Sequence, residues 1–466
     1  MTLPAALEVV PLAAPVAARV TVPGSKSETN RALILAALGE GRTTIRGALW
    51  SDDTEVMVAC LRTLGCDVEV LPDEDEPGNR TFVVDGCGGD LAPGGTVARP
   101  LELYVGNAGT AARFLTALVA LGQGAYKLSG TPRMHERPQG ALFAALRQLG
   151  YRVDASGARS SEGHGDRMPV TVHGDGAHPG ACEVSIAESS QFASALLLCA
   201  AHGEWDVTIA DGNPDELPYV HMTQEVIDVF PQTAEDDLED AEYAVEGDTS
   251  SASYLVGANL LQQLVFRASG GTPATPEADL RASRESLARI EVANWPHSGW
   301  QFDERFAAFC DAAARGEPPA VVSRTTDLGD SILTAIVCAP LLARPVRFVG
   351  LDRLRVQECD RVAALYEGLT NCGADIVMEG DDLIVSPSAS RLHGARIRTF
   401  DDHRIAMCFA MLGLVIPGIV IEDPACVSKT FPNFFTKLAS PAPGGLGVTL
   451  RDAATGRALP LDGLDA

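Results

Sequence analysis

A short β-rich run, a turn of small or helix-capping residues and an Ala/Leu-rich helix recur six times along the chain, and this internal repeat constrains the fold more than any other feature. The first copy runs through 18–22, Pro23-Gly24-Ser25-Lys26-Ser27 and a helix at 28–38. The second is 101–105, Gly106-Asn107-Ala108-Gly109-Thr110 and 111–121; the third is 182–186, Glu188-Ser189-Ser190 and 191–201. The fourth (242–245, 246–251, 252–261), the weaker fifth (321–324, 327–330, 331–342) and the sixth (396–399, 400–403, 404–414) follow the same order. Second helices and strands lie between them, such as 53–64 before 67–70 and 140–149 before 152–154. The pattern predicts an α/β chain of βαβαββ modules, three to a domain. The N-terminal domain is expected at 21–241 and the C-terminal domain at 1–20 plus 242–440. An acidic break falls near 232–242, and a Gly/Pro/Ala-rich surface insertion at 269–282 lies within the divergent stretch 262–300. The Pro-, Gly- and Asp-rich tail 441–466 is expected to be loose.

Each turn opens a helix with free backbone N–H groups, and the helix dipole favours anions there. Hydrophobic residues make up 46% and charged ones 21%, enough to bury a sizeable core. A net charge of −26 argues against a nucleic-acid partner, which needs a basic stripe. The few Lys and Arg residues must therefore converge on any anionic ligand. The 11 cysteines are scattered in apolar runs without a C-x-x-C pair, which predicts reduced, buried thiols and no zinc-ribbon metal site. The N-terminus has no basic segment and is broken by Pro4, Pro11 and Pro15, so it does not read as a signal peptide. No run approaches the roughly 20 apolar residues of a membrane span. The expected location is the cytoplasm.

Six cations sit in turn or carboxylate-rich contexts: Lys26, Arg31, Arg133, Arg361, Arg404 and Lys429. Singly, each has a plain structural reading. Gly24-Ser25-Lys26-Ser27 lacks the glycine that a phosphate-binding P-loop places before its lysine. Arg133 and Arg137 beside Glu136 read equally as a surface cluster, Glu358 and Arg361 as a solvated helix pair, and His403 as a structural hydrogen-bonder.

Jointly, P-G-S-K-S-x-x-N-R-A-L, G-N-A-G-T-A-x-R, R-M-x-E-R-P, S-S-Q-F, D-H-R-x-A-M and K-T-F-P-x-F closely resemble the 5-enolpyruvylshikimate-3-phosphate (EPSP) synthases, within the enolpyruvyl transferases. The likeness runs from about residue 8 to 438 and is weakest over 262–325. It implies two similar domains of three βαβαββ units each, an inverse α/β barrel arrangement that closes on its substrates, and a monomer. The implied activity moves the carboxyvinyl group of phosphoenolpyruvate to an acceptor hydroxyl through a tetrahedral intermediate, with phosphate release and no metal or organic cofactor. Such chemistry needs a base for the hydroxyl, an acid for the methylene carbon and fixed cations for the phosphate.

The resemblance also implies roles. Lys26, Gly109, Arg133, Gln191, Arg361, Arg404 and Lys429 would bind phosphoenolpyruvate. Ser27, Arg31, Ser189, Ser190, Gln191, Tyr219, Asp330, Arg353 and Gln357 would hold the acceptor. Asp330 would take the acceptor's proton, Glu358 would stand near the methylene carbon, Lys429 would share proton transfer, and Lys26 and His403 complete the catalytic set. The sister branch that acts on UDP-N-acetylglucosamine carries a cysteine in its mobile loop; here G-T-P-R-M-H-E-R-P has none.

Three acceptor positions depart from the shikimate pattern. The family's S-x-P-Y is Glu216-Leu217-Pro218-Tyr219, and its N-x-R-x-K-E is Arg353-Leu354-Arg355-Val356-Gln357-Glu358. The N-D-H-R asparagine is also replaced, by Asp401. A carboxylate at a phosphate subsite and a missing lysine are each worth about a few kcal/mol when desolvated. These changes point to a nucleotide acceptor such as UMP, as in the nikkomycin- and polyoxin-type branch, with Trp295 and Trp300 as candidate stacking surfaces or plain core residues. The alternatives are a divergent aromatic-pathway enzyme, 3-phosphoshikimate 1-carboxyvinyltransferase, and an inactive protein that binds a phosphorylated metabolite. A phosphate-ester cyclase would require a nucleophilic histidine that D-H-R does not supply.

Overall fold

Four sheets share one pairing scheme: a parallel pair followed by two antiparallel pairs. Leu101–Tyr104 runs parallel to Gln123–Ser129, which pairs antiparallel with Arg167–Asp175, itself antiparallel to Arg152–Ser156. A parallel neighbour needs a crossover, and the helix Gly109–Leu118 supplies it. Ala241–Ala244, Arg42–Leu49, Asn79–Asp85 and Asp67–Pro72 repeat the scheme. So do Val321–Ser323, Val346–Val349, Asp382–Ser386 and Asp375–Glu379. The fourth set is Arg396–Ile397, Ile419–Glu422, Ala6–Val9 and Leu450–Asp452. Two parallel pairs, Gly180–Ser185 with Trp205–Ala210 and Ala18–Val20 with Ile290–Val292, stand for the remaining repeats. The computed structural model describes residues 3–156, 166–210, 217–231, 241–268 and 289–465. The insertion 269–282 and Glu216 lie outside the described residues.

The chain divides into two compact units, Pro23–Glu246 and Met1–Val22 with Gly247–Ala466. The strand Ala241–Ala244, expected in the C-terminal domain, pairs instead with Arg42–Leu49 of the N-terminal unit. It fills the place beside Arg42–Leu49 that local chain order offers to Ala18–Val20, which pairs in the other unit. That exchange moves the boundaries to 22/23 and 246/247.

Within each unit, three apolar helices form the interior. All ten residues of Gly109–Leu118 and all seven of Ile332–Cys338 are buried. In His403–Gly413 only Arg404 is not. Helices apolar on every side belong in a core, and their starts are the turns that carry the motif residues. Lys26–Leu38, Gly109–Leu118 and Gln191–Gly203 pack together in one unit; Thr249–Ala268, Ile332–Cys338 and His403–Gly413 do so in the other. The sheets cover them through alternation: in Arg167–Asp175, Met168, Val170 and Val172 face inward.

The tail is not loose. Leu446, Val448, Leu450 and Leu464 are buried, and Leu450–Asp452 pairs antiparallel with Ala6–Val9. The reason is the period-two spacing of Leu446, Val448 and Leu450, a half-buried strand pattern hidden among glycines. Trp295 packs at the edge of the C-terminal core. Among the described residues, no helix is long and apolar enough to cross a membrane.

Candidate active site

In the N-terminal unit, Lys26 is the first residue of the helix Lys26–Leu38, whose Ser25 cap accepts a bond from the Glu28 N–H at 3.4 Å. Its Nζ lies 3.1 Å from Asp53 Oδ2. Asp53 thus holds the lysine in one orientation, a partner the sequence motif does not disclose although S-D-D-T-E sits in plain view. Glu28, two residues on, is fully buried; it accepts from Tyr243 Oη at 2.7 Å and from the Glu246 N–H at 3.3 Å. Burial pushes its carboxyl up to about 8.

Gly109 opens the second inner helix between two guanidiniums. A Cβ at this position would lie 2.6 Å from both Arg113 Nη1 and Arg137 Nη2. Arg113 also fixes Gln191, donating from Nη1 to Oε1 at 2.9 Å, while Gln191 Nε2 donates to Thr110 Oγ1 at 3.3 Å. Arg113 is the last letter of G-N-A-G-T-A-x-R, and an arginine inside an apolar helix was the signal for a buried positioning role. Ser189 Oγ accepts from the Gln191 N–H at 3.2 Å just ahead of that helix, whose N-cap residue Ser190 is buried.

Arg31 is 2% exposed and does not point into open space. It donates to Thr223 Oγ1 at 2.8 Å, to the Ser27 carbonyl at 2.7 Å, to Ser194 Oγ at 3.2 Å and to the Tyr219 carbonyl at 3.3 Å. It therefore knits the expected acceptor residues Ser27 and Tyr219 into one frame. Arg133 stands apart on the short helix Pro132–Glu136, paired with Glu136 at 2.8 Å. Such a partly exposed pair contributes at most about 1 kcal/mol and yields readily to a ligand.

The C-terminal unit holds a denser charge network. Arg361, 1% exposed, donates to Asp402 Oδ2 at 2.7 Å, pairs with Glu358 Oε2 at 2.8 Å and donates to Gln357 Oε1. Burial opposes its charge, but Asp402, Glu358 and Asp330 outweigh that and raise its pKa. The other oxygen of Glu358 lies 3.5 Å from Lys429 Nζ. Asp330 sits between Arg324 (Nη2 to Oδ1, 3.1 Å) and Arg404 (Nη2 to Oδ2, 3.2 Å). Burial pushes the Asp330 carboxyl up, yet Arg404, Arg324 and Arg361 together hold it well below the usual carboxylate range. Next to it, Asp303 accepts from the Ser331 N–H at 2.8 Å and from Ser250 Oγ; burial first, then the Asp330 charge, push its carboxyl up to about 6. Arg353 is half-buried in the turn Asp352–Arg355. His403 is 1% exposed, its Nδ1 3.8 Å from Asp402 Oδ1.

Arg361, Glu358, Lys429, Arg404 and Asp330 lie in one network of ion pairs, joined through Asp402. Arg324, Asp303 and Asp402 are the partners that local spacing could not name. Among the described residues, no group of three or more His, Cys, Asp or Glu side chains is arranged to hold a metal ion.

Helix starts gathered in each unit, buried Lys and Arg alternating with carboxylates, and the Glu358–Lys429 ion pair make an arrangement suited to anionic ligands. The family described as EPSP synthase (3-phosphoshikimate 1-carboxyvinyltransferase) matches residues 11–438. A 3-phosphoshikimate 1-carboxyvinyltransferase of Rhizobium etli is 37% identical, covering 97% of this chain and 100% of its own. One of Pseudomonas syringae pv. tomato is 36% identical over 96% and 99% of the two chains. The EPSP synthase structure from Acinetobacter baumannii superposes with a TM-score of 0.62 at 21% identity, covering 96% of this chain and 99% of that one. The enolpyruvyl transferase NikO from Streptomyces tendae does so at 0.60 and 15%, over 98% and 99%; both likenesses concern the fold. The chain belongs to the EPSP synthase family and is an enolpyruvyl transferase.

Proposed function

We propose that the protein transfers the carboxyvinyl group of phosphoenolpyruvate to 3-phosphoshikimate, in preference to the nucleotide acceptor that Glu216, Arg353 and Gln357 suggest. The observation that carries this reading is the near-full-length identity of 36–37% to relatives bearing that name. At that level, three altered positions weigh less than an acceptor frame in which Ser27, Arg31, Ser194, Tyr219 and Thr223 remain hydrogen-bonded to one another.

In this assignment Lys26, Arg133, Arg361, Arg404 and Lys429 take the phosphate and carboxylate of phosphoenolpyruvate, with Gly109 leaving room and Gln191 oriented by Arg113. Asp330 accepts the acceptor's hydroxyl proton as that oxygen bonds to C2. Lys429 or Glu358, 3.5 Å apart, delivers a proton to C3. The tetrahedral adduct then loses the C3 proton to the same pair; the C2–O bond to phosphate breaks and phosphate leaves. Asp330 is a weak base while two arginines clamp it, so an anion that draws Arg404 away raises its basicity as the substrate binds. His403, buried in the helix His403–Gly413, serves packing rather than proton transfer.

The test is phosphate release from phosphoenolpyruvate with shikimate 3-phosphate or UMP as acceptor. Release with shikimate 3-phosphate is expected. Release with UMP alone would overturn the acceptor and restore the nucleotide reading, and release with neither would overturn both.

A further inference from the structure

Of the 11 cysteines, all free, nine are held as neutral thiols chiefly by burial. The other two face each other: Cys66 Sγ lies 3.4 Å from Cys87 Sγ. Cys66 directly precedes the strand Asp67–Pro72, and Cys87 follows Asn79–Asp85 by two residues. The last register pair of that hairpin is Asp67↔Asp85, so the thiols sit just past its open end. The backbone on both sides is fixed. The Cys66 N–H donates to the Leu61 carbonyl at 3.1 Å; the N–H groups of Gly86, Cys87 and Gly88 donate to Gly41, Ala37 and Gly39 at 3.1, 2.9 and 2.9 Å. A disulfide needs about 2.05 Å between sulfurs, so the two sulfurs have a little over an ångström left to close. Cys66 is buried and Cys87 only half-buried, and the contact with Cys66 draws the Cys87 thiol down to about 7. Cys87 is thus the accessible nucleophile and Cys66 the resolving thiol.

We propose that Cys66 and Cys87 form a redox-active dithiol, a modification site for two-electron oxidants of the hydrogen peroxide class. The Cys87 thiolate attacks one peroxide oxygen; the O–O bond breaks, hydroxide leaves and gains a proton to become water, and Cys87 becomes a sulfenic acid. The Cys66 sulfur then attacks Cys87 sulfur, the S–O bond breaks, and the oxygen leaves as a second water with the Cys66 proton. Two thiols are oxidised to one disulfide and one peroxide is reduced to two waters. The link closes the open end of the hairpin; it removes the bond that the Cys87 S–H donates to the Ala37 carbonyl and leaves the Cys87 N–H bond to the same carbonyl in place.

The experiment is hydrogen peroxide treatment of the full chain, alkylation and peptide mapping without reductant. The expected result is one internal link between the peptides carrying Cys66 and Cys87, a loss of two hydrogens per molecule, and reversal by dithiothreitol. Cys66→Ser should instead trap a dimedone adduct at Cys87, and Cys87→Ser should give neither product. A link between other cysteines, oxygen uptake at Cys87 without a link, or no reaction would overturn the proposal. The wild-type map decides the matter alone if a variant fails to fold.

Discussion

Arg361 Nε donates to Asp402 Oδ2 at 2.7 Å with both side chains at most 1% exposed, and the same carboxylate caps the next inner helix by accepting the Arg404 N–H at 2.9 Å. One buried anion thus sets the positions of two site arginines. Asp402→Asn would leave Arg361 underpaired, and breaking a buried pair costs about 3–5 kcal/mol. Chemical denaturation should show a loss of that size, together with a rise in KM for phosphoenolpyruvate.

Asp330→Asn keeps the shape and removes the carboxylate proposed as the base. Turnover should fall by about a thousandfold or more, with circular dichroism unchanged. A variant that keeps wild-type turnover would remove Asp330 from the mechanism.

Gly109→Ala places a methyl group against Arg113 and Arg137, beside the proposed phosphoenolpyruvate residues Gly109 and Gln191. At 2.6 Å both guanidiniums must move aside, and because they are the ends of flexible side chains the fold survives. KM for phosphoenolpyruvate should rise roughly tenfold, equivalent to about 1.4 kcal/mol, with a smaller change in kcat.

Glu28 gives a pH signature. Its carboxyl stands at about 8 in the fold against an ordinary value of 4.5, so the folded protein binds a proton that the unfolded chain has released. Stability from this group is fully present below about 4.5 and is lost as pH rises towards 8, by on the order of a few kcal/mol. Glu28→Gln should flatten that decline when unfolding is measured between pH 5 and 8. An unchanged slope would show that the group titrates normally.

Leu450 anchors the tail strand against Val9, opposite which it pairs. Leu450→Ala should destabilise the protein by about 2–5 kcal/mol, as for other buried leucines. A loose tail would tolerate the change.

The repeat and the helix starts were legible because each is a local pattern: a capping turn followed by an apolar helix. The motif cations were legible for the same reason, since Lys26, Arg361 and Arg404 each begin a helix or stand next to its cap. Their partners were not. Asp53 meets Lys26 across 27 residues and Asp402 meets Arg361 across 41, and such pairing depends on how helices pack. The domain boundary was misplaced because Ala241–Ala244 joins a strand some 200 positions earlier in the chain, at Arg42–Leu49. The tail was misread because glycines diluted the alternation of Leu446, Val448 and Leu450. Arg31 was assigned to the acceptor directly, whereas its guanidinium is taken up in holding Ser27, Ser194, Tyr219 and Thr223.

The measurement that bears most directly on carboxyvinyl transfer is mass spectrometry of shikimate 3-phosphate after incubation with phosphoenolpyruvate and the protein. The account predicts an acceptor heavier by one carboxyvinyl group in place of one hydrogen, formed one for one with phosphate and absent with Asp330→Asn. Phosphate release with an unmodified acceptor would contradict it.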